Sequence, residues 1–115
     1  MIHSKENSEH YIWGNQCDSW VLKNTRNLSV KQEKMPAGTS EKLHYHEIAE
    51  QFFYILKGEA VFFINEEKFW VKQNESISIA PGTRHFISNE SEAEIEFLVI
   101  SNPPTDHDRI EIKNN

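Results

Sequence analysis

Cysteine is nearly absent. Cys17 is the only one in 115 residues, so no disulfide can form within the chain. That fits a reducing compartment, and a cytoplasmic location is expected. A lone cysteine behaves most often as a small buried apolar residue, and Cys17 is given no role. Basic charge is also short: 12 Lys and Arg against 18 Asp and Glu leave a net charge of −6. Neutralising a phosphate backbone needs a basic patch, so nucleic acid is excluded as a partner. No run approaches the roughly 18 unbroken apolar residues that a membrane helix needs. The polar start, Met1 to Ser8, lacks the apolar stretch of a secretory signal, and none is expected. Helical periodicity is missing too. No long stretch repeats at about 3.6 residues, and Glu47–Glu50 offers one short turn at most.

What is present is a series of short apolar runs. From Leu28 onward, Val, Ile and Phe gather in Leu28–Lys34, Leu43–His46, Phe52–Leu56, Ala60–Ile64, Phe69–Lys72, Ser76–Ile79, His85–Ser88 and Glu94–Ser101. Turn-forming residues punctuate them, among them Pro36 and Gly38, Gly58, Asn65, Asn74, Pro81 and Gly82, Asn89, and Pro103 and Pro104. Many short strands at even spacing predict an all-β sandwich or closed barrel. The length is that of one domain. The expected division is a flexible segment over residues 1–10, a barrel domain over 11–112 and a disordered tail over 113–115. Tyr11, Trp13 and Trp20 are placed on an N-terminal strand that caps the barrel or crosses to a partner. Phe52–Leu56 and Ala60–Ile64 carry apolar residues on both faces, which implies cover on both faces. A second sheet, the N-terminal segment or a partner subunit can supply that cover, and a homodimer is expected.

The chemistry centres on three histidines. His44 and His46 are separated by one residue, so on a strand both rings point to the same side. His85 follows the Pro81-Gly82 turn and can close the site from a distant strand. Imidazole is the commonest protein ligand for transition metals, and this spacing predicts a metal-binding β-barrel. His3, His10 and His107 have no such spacing and are expected at the surface, and Arg84 is expected to point away from the site.

Two motifs resemble those of the cupin superfamily. The first runs from Gly38 through His44, His46 and Gln51 to Gly58, with the family's spacing throughout. The second runs from Asn74 through Ala80, Gly82 and His85 to Asn89, with Asn74 and Ala80 where the family has glycine and proline. Asn enters left-handed backbone more readily than other non-glycine residues, and Pro81 still stiffens the turn. The resemblance implies a double-stranded β-helix, that is, a jelly-roll or cupin barrel. It also implies a metal held by His44, His46, Gln51 and His85. Gln51 stands where the family usually has glutamate, while the acidic Glu50 sits one residue earlier and, on a strand, faces the other way. Family members with a three-His, one-Gln set include an enzyme acting on unsaturated uronates.

Such a shell carries no protein anion. It leaves the metal Lewis acidic and its charge available to an anionic substrate. One divalent transition metal per chain is expected, with Fe, Mn, Ni, Co and Zn all compatible. Met35, Phe53, Tyr54 and Phe97 are expected to border the substrate pocket. Glu33 is a candidate base if its strand turns it inward. Asp106, Asp108 and Arg109 read as a solvated or interface tail. The partner is a small-molecule ligand or substrate, and two functions follow from the resemblance. One is an enzyme of the sugar or sugar-acid isomerase, epimerase or dioxygenase type. The other is a module that binds or senses a small ligand without turnover.

Overall fold

Every strand pair is antiparallel in the computed structural model, which describes residues 1–113. After a 3-10 turn at Lys5–Asn7 come β1 (Glu9–Trp13), β2 (Cys17–Asn24), β3 (Ser29–Met35) and β4 (His44–Tyr45). Then follow β5 (Glu50–Lys57), β6 (Glu59–Ile64), β7 (Glu67–Lys72) and β8 (Ser76–Ile79). The last three are β9 (His85–Ser88), β10 (Ile95–Asn102) and β11 (Ile110–Glu111). One sheet runs in the order β1-β2-β3-β10-β5-β8 and the other β11-β4-β9-β6-β7. Two facing antiparallel sheets in this order form the expected jelly-roll barrel.

Turn chemistry fixes the hairpins. Gly58 joins β5 to β6 at φ +83°, a conformation that costs glycine nothing. A Cβ there would also stand 2.8 Å from Ile95 Cγ2. Asn74 adopts φ +66°, so it does the work of the glycine it replaces. The buried Asn89 side chain donates to the carbonyls of Met35 (3.0 Å) and Ala93 (2.8 Å) and accepts from Ser91, pinning the loop after β9.

The pleat sorts each strand into two faces. Along β5, Gln51, Phe53 and Ile55 are buried, while Phe52 is exposed and Tyr54 half-buried. Register carries that alternation across the sheet: Phe53 pairs with Val99, Val99 with Lys31, Phe97 with Glu33, and Ile95 with Met35. Lys31, Glu33 and Met35 therefore share the inner face. Between the sheets, Met35, Phe53, Ile55, Phe62, Ile87, Ile95 and Phe97 form one core, with Phe53 meeting Phe62 edge-on at 5.0 Å between ring centres.

β1 starts at Glu9, inside the segment expected to be mobile. Ahead of it, Lys5 lies 4.7 Å over the Trp20 ring and 3.7 Å from Glu96. Of the tail expected over 113–115, residues 114 and 115 lie outside the described residues.

Candidate metal centre

β4 and β9 bring the histidines together. His44 lies directly opposite His85 in the β4–β9 register, so both rings leave the same face, and His46 follows on the alternate position. All three are buried, at 1%, 4% and 1% exposure for His44, His46 and His85. One nitrogen from each ring lies within 4.8 Å of the others.

The backbone fixes which nitrogens those are. His44 Nδ1 faces the Lys42 carbonyl at 2.7 Å, His85 Nδ1 the Thr83 carbonyl at 2.8 Å, and His46 Nδ1 the Asp108 carbonyl. A carbonyl can only accept, so each Nδ1 carries a proton and donates it. In the neutral ring, each Nε2 is left as a bare lone pair. His46 Nε2 is buried with no hydrogen-bond partner. His85 Nε2 lies 3.2 Å from Gln51 Oε1, while the Gln51 amide nitrogen donates to Ser101 Oγ at 3.1 Å. Two acceptors face each other there, a contact that becomes favourable only with a proton or a cation between them. Orphaned and opposed lone pairs converging on one point fit a metal. Outer-layer carbonyls that fix ring orientation are a common feature of metal-binding histidines.

Electrostatics agrees with neutral rings. Burial pushes the His44 pKa down to about 3 and that of His85 to about 4, and it lowers that of His46 as well. Arg109 adds a smaller push in the same direction on each. No ring has to lose a proton at neutral pH before accepting a cation.

Above the histidines opens a pocket of about 660 Å³ with Phe53 and Val99 in its wall. Glu41 stands at its edge. One carboxylate oxygen accepts from the Ile87 N–H at 3.1 Å; the other lies 3.4 Å from Arg109 Nη1 and 3.9 Å from His44 Nε2. Burial raises the Glu41 pKa to about 7 against the pull of Arg109. Across the pocket, Glu33 is likewise raised by burial, opposed by the Ser19 hydroxyl and Lys31. Lys31 donates to Tyr11 Oη at 2.9 Å.

His44, His46, Gln51 and His85 thus converge, and Glu50 is exposed on the opposite face from Gln51. Of the four residues expected at the pocket, Phe53 lines it. Met35 and Phe97 are fully buried in the core beneath, and Tyr54 is turned away from Phe53 by the pleat, its hydroxyl 3.5 Å from Asn74 Oδ1. Met35, Tyr54 and Phe97 are not among the residues that line the pocket. The exposed Asp106, His107 and Arg109 line the pocket, and β11 pairs with β4. Sequence reasoning missed Glu41 and Lys31. A signal for Lys31 existed, because an inward Met35 places 33 and 31 inward by a period of two. Glu41 had a weaker one, its position inside the loop that leads to His44.

The model of the family described as "Cupin domain" matches residues 31–101, well over half of the chain. An uncharacterized protein of Methanocaldococcus jannaschii is 36% identical over 84 residues, 73% of this chain and 67% of that protein. The oxalate-binding protein of Thermotoga maritima is 36% identical over 67 residues, 58% of this chain and 55% of its own length, so the chain spans about half of that relative. A solved structure, that of a predicted oxalate decarboxylase of Thermotoga maritima, superposes with a TM-score of 0.82 at 23% identity, covering 90% of this chain and 100% of that one. Barrel order, histidine register and family match lead to one assignment: the chain belongs to the cupin family.

Proposed function

We propose that this cupin holds one divalent transition metal on His44, His46, Gln51 and His85 and acts on a small oxygenated organic acid bound beside it. The observation that supports this most is the convergence of acceptors, the partnerless His46 Nε2 and the facing His85 Nε2 and Gln51 Oε1, beneath a pocket lined by His44, His46 and Gln51. The metal would supply Lewis acidity toward a carbonyl, carboxylate or hydroxyl oxygen. The chain supplies the rest. Lys31 and Arg109 give the wall two cations to pair with an anionic end of the ligand. Phe53 and Val99 keep one side of the site dry. Glu33, turned inward and raised in pKa by burial, is the carboxyl available to exchange a proton with a bound hydroxyl. An isomerase, epimerase or dioxygenase type of reaction fits these parts. In solution the chain is a homodimer.

A second reading is capture without turnover. It is favoured by the relative named an oxalate-binding protein, 36% identical over the shared stretch. The test begins with elemental mass spectrometry of protein purified without chelators. About one metal per chain is expected, falling at least tenfold in a His85→Ala variant as a ligand is lost. No metal in the wild type, and none after reconstitution with Mn, Fe, Co, Ni or Zn, overturns the metal reading. The loaded protein is then titrated with oxalate and larger hydroxy acids while ligand NMR follows their fate. A changed spectrum identifies an enzyme; tight binding with an unchanged spectrum identifies a binding module.

A further inference from the structure

The segment between β10 and β11 crosses the mouth of the barrel, and one of its residues makes two attachments in different directions. The Asp108 carboxylate accepts three successive backbone N–H groups, from Glu47 (2.8 Å), Ile48 (3.1 Å) and Ala49 (3.0 Å). The Asp108 carbonyl accepts Nδ1–H of His46, the residue immediately before those three. His44 and His85 differ in this respect. Their Nδ1 protons go to carbonyls two residues away, at Lys42 and Thr83, whereas His46 depends on a residue 62 positions distant.

We propose that Asp108 is the positioning residue for His46: by clamping the 47–49 backbone it locks the C-terminal strap in place, and the locked strap holds the His46 ring with Nε2 turned into the site. The proposal deepens the metal-centre reading and rests on it.

An anion suits this position. Three N–H groups converging on one side chain are satisfied by a carboxylate with two oxygens, and charge-assisted bonds of this kind are about twice as strong as neutral ones. Burial works against the Asp108 carboxylate, yet the three N–H bonds outweigh it and hold its pKa below the usual range. The strap enters by a tight turn, with Asp108 N–H bonded to the Thr105 carbonyl at 2.9 Å and His107 at φ +63°. It leaves through β11 on β4, with Ile112 N–H on the Leu43 carbonyl at 2.9 Å. Thr105, Asp106 and Arg109 face the pocket from the same strap, so the residues that complete the wall arrive together with the carbonyl that orients His46. Release of Asp108 would free the His46 ring to rotate while His44 and His85 keep their local carbonyls.

That difference gives a readout independent of metal. In metal-free protein labelled with 15N-histidine, the wild type is expected to show three slowly exchanging Nδ1–H resonances. Asp108→Ala should lose the one belonging to His46 and keep the other two. Asp108→Asn, which retains one acceptor oxygen, should restore it in part. Divalent affinity measured calorimetrically with Ni2+ should drop by about 10- to 100-fold in Asp108→Ala, the usual effect of removing an outer partner of a ligand, and recover partly in Asp108→Asn. An unchanged His46 resonance and wild-type affinity in Asp108→Ala would overturn the proposal. So would loss of all three resonances together in both variants, which marks general loosening. A wild type that shows the three resonances but binds no metal defeats the metal-centre reading while leaving the clamp itself to the spectra.

Discussion

His85 shows what burial does to a single side chain. Its ring is 1% exposed and its pKa falls to about 4, while in the unfolded chain an imidazole titrates near 6.5. Between those values the unfolded chain binds a proton that the folded chain refuses, so the stabilising contribution is present above about 6.5 and lost as pH falls toward 4. In chelated protein, the stability of the wild type relative to His85→Gln should therefore decline on acidification through that window, by up to about 3 kcal/mol. Urea denaturation at pH 7.5 and 4.5 checks it; a constant difference would mean that His85 titrates as an ordinary surface imidazole. Glu41 has the opposite sign, because its pKa is raised to about 7 and its favourable protonated state is lost as pH rises through that value. The same residue scale explains what the sequence could reveal. The resemblance to the cupin motif set Gln51 inward, and alternation then turned Glu50 outward. Glu41 stayed hidden because its burial depends on Arg109 and Ile87, which lie 68 and 46 positions away.

At the scale of elements, the hairpin at Gly58 links sequence to fold most directly. Substitution by alanine would face two costs at once. The φ of +83° lies where side chains are strained by roughly 1–2 kcal/mol, and the new Cβ would press on Ile95 at 2.8 Å. Gly58→Ala is expected to lower unfolding free energy by at least about 2 kcal/mol, measured by urea titration. Gly38→Ala should cost less, because nothing lies within 4 Å of the place its methyl group would take. All eight runs read from β3 to β10 appear as strands, each within two residues of its expected ends. Gly, Pro and Asn at fixed φ mark those boundaries locally, so a reader of the chain can find them. Gly14, at φ +53°, separates β1 from β2 where the sequence reading placed one N-terminal strand, and β11 carries no comparable signal. β11 has only two residues, and its pairing with β4 brings together segments some 65 positions apart. The strap likewise reads as a polar tail until the three amides that Asp108 clamps are seen beside it.

The whole molecule presents an outer face that its own second sheet does not cover. On the side of the six-stranded sheet away from the core, Val30, Ile100 and Phe52 are neighbours in register across β3, β10 and β5. The next inward-outward repeat brings Trp20, Gln32, Leu98 and Tyr54 into line. Phe52 is 39% exposed and Ile12, on the same face of β1, 51%. The sequence showed apolar residues on both sides of β5 without showing what covers the second side, since a sheet and a subunit impose the same pattern. Among the described residues, the inner side meets the opposing sheet and the outer side meets nothing that buries Phe52. Exposed apolar side chains on an uncovered sheet face suit an interface between copies, where self-complementary faces bury each other. Sedimentation equilibrium is therefore expected to give twice the 13.5 kDa chain mass. Phe52→Glu should shift the protein toward the single-chain mass and leave its metal content intact, because the side chain points away from the pocket that its neighbour Gln51 faces. A wild type that sediments as a single chain would remove the dimer from the proposal, and a Phe52→Glu dimer would move the interface to another face.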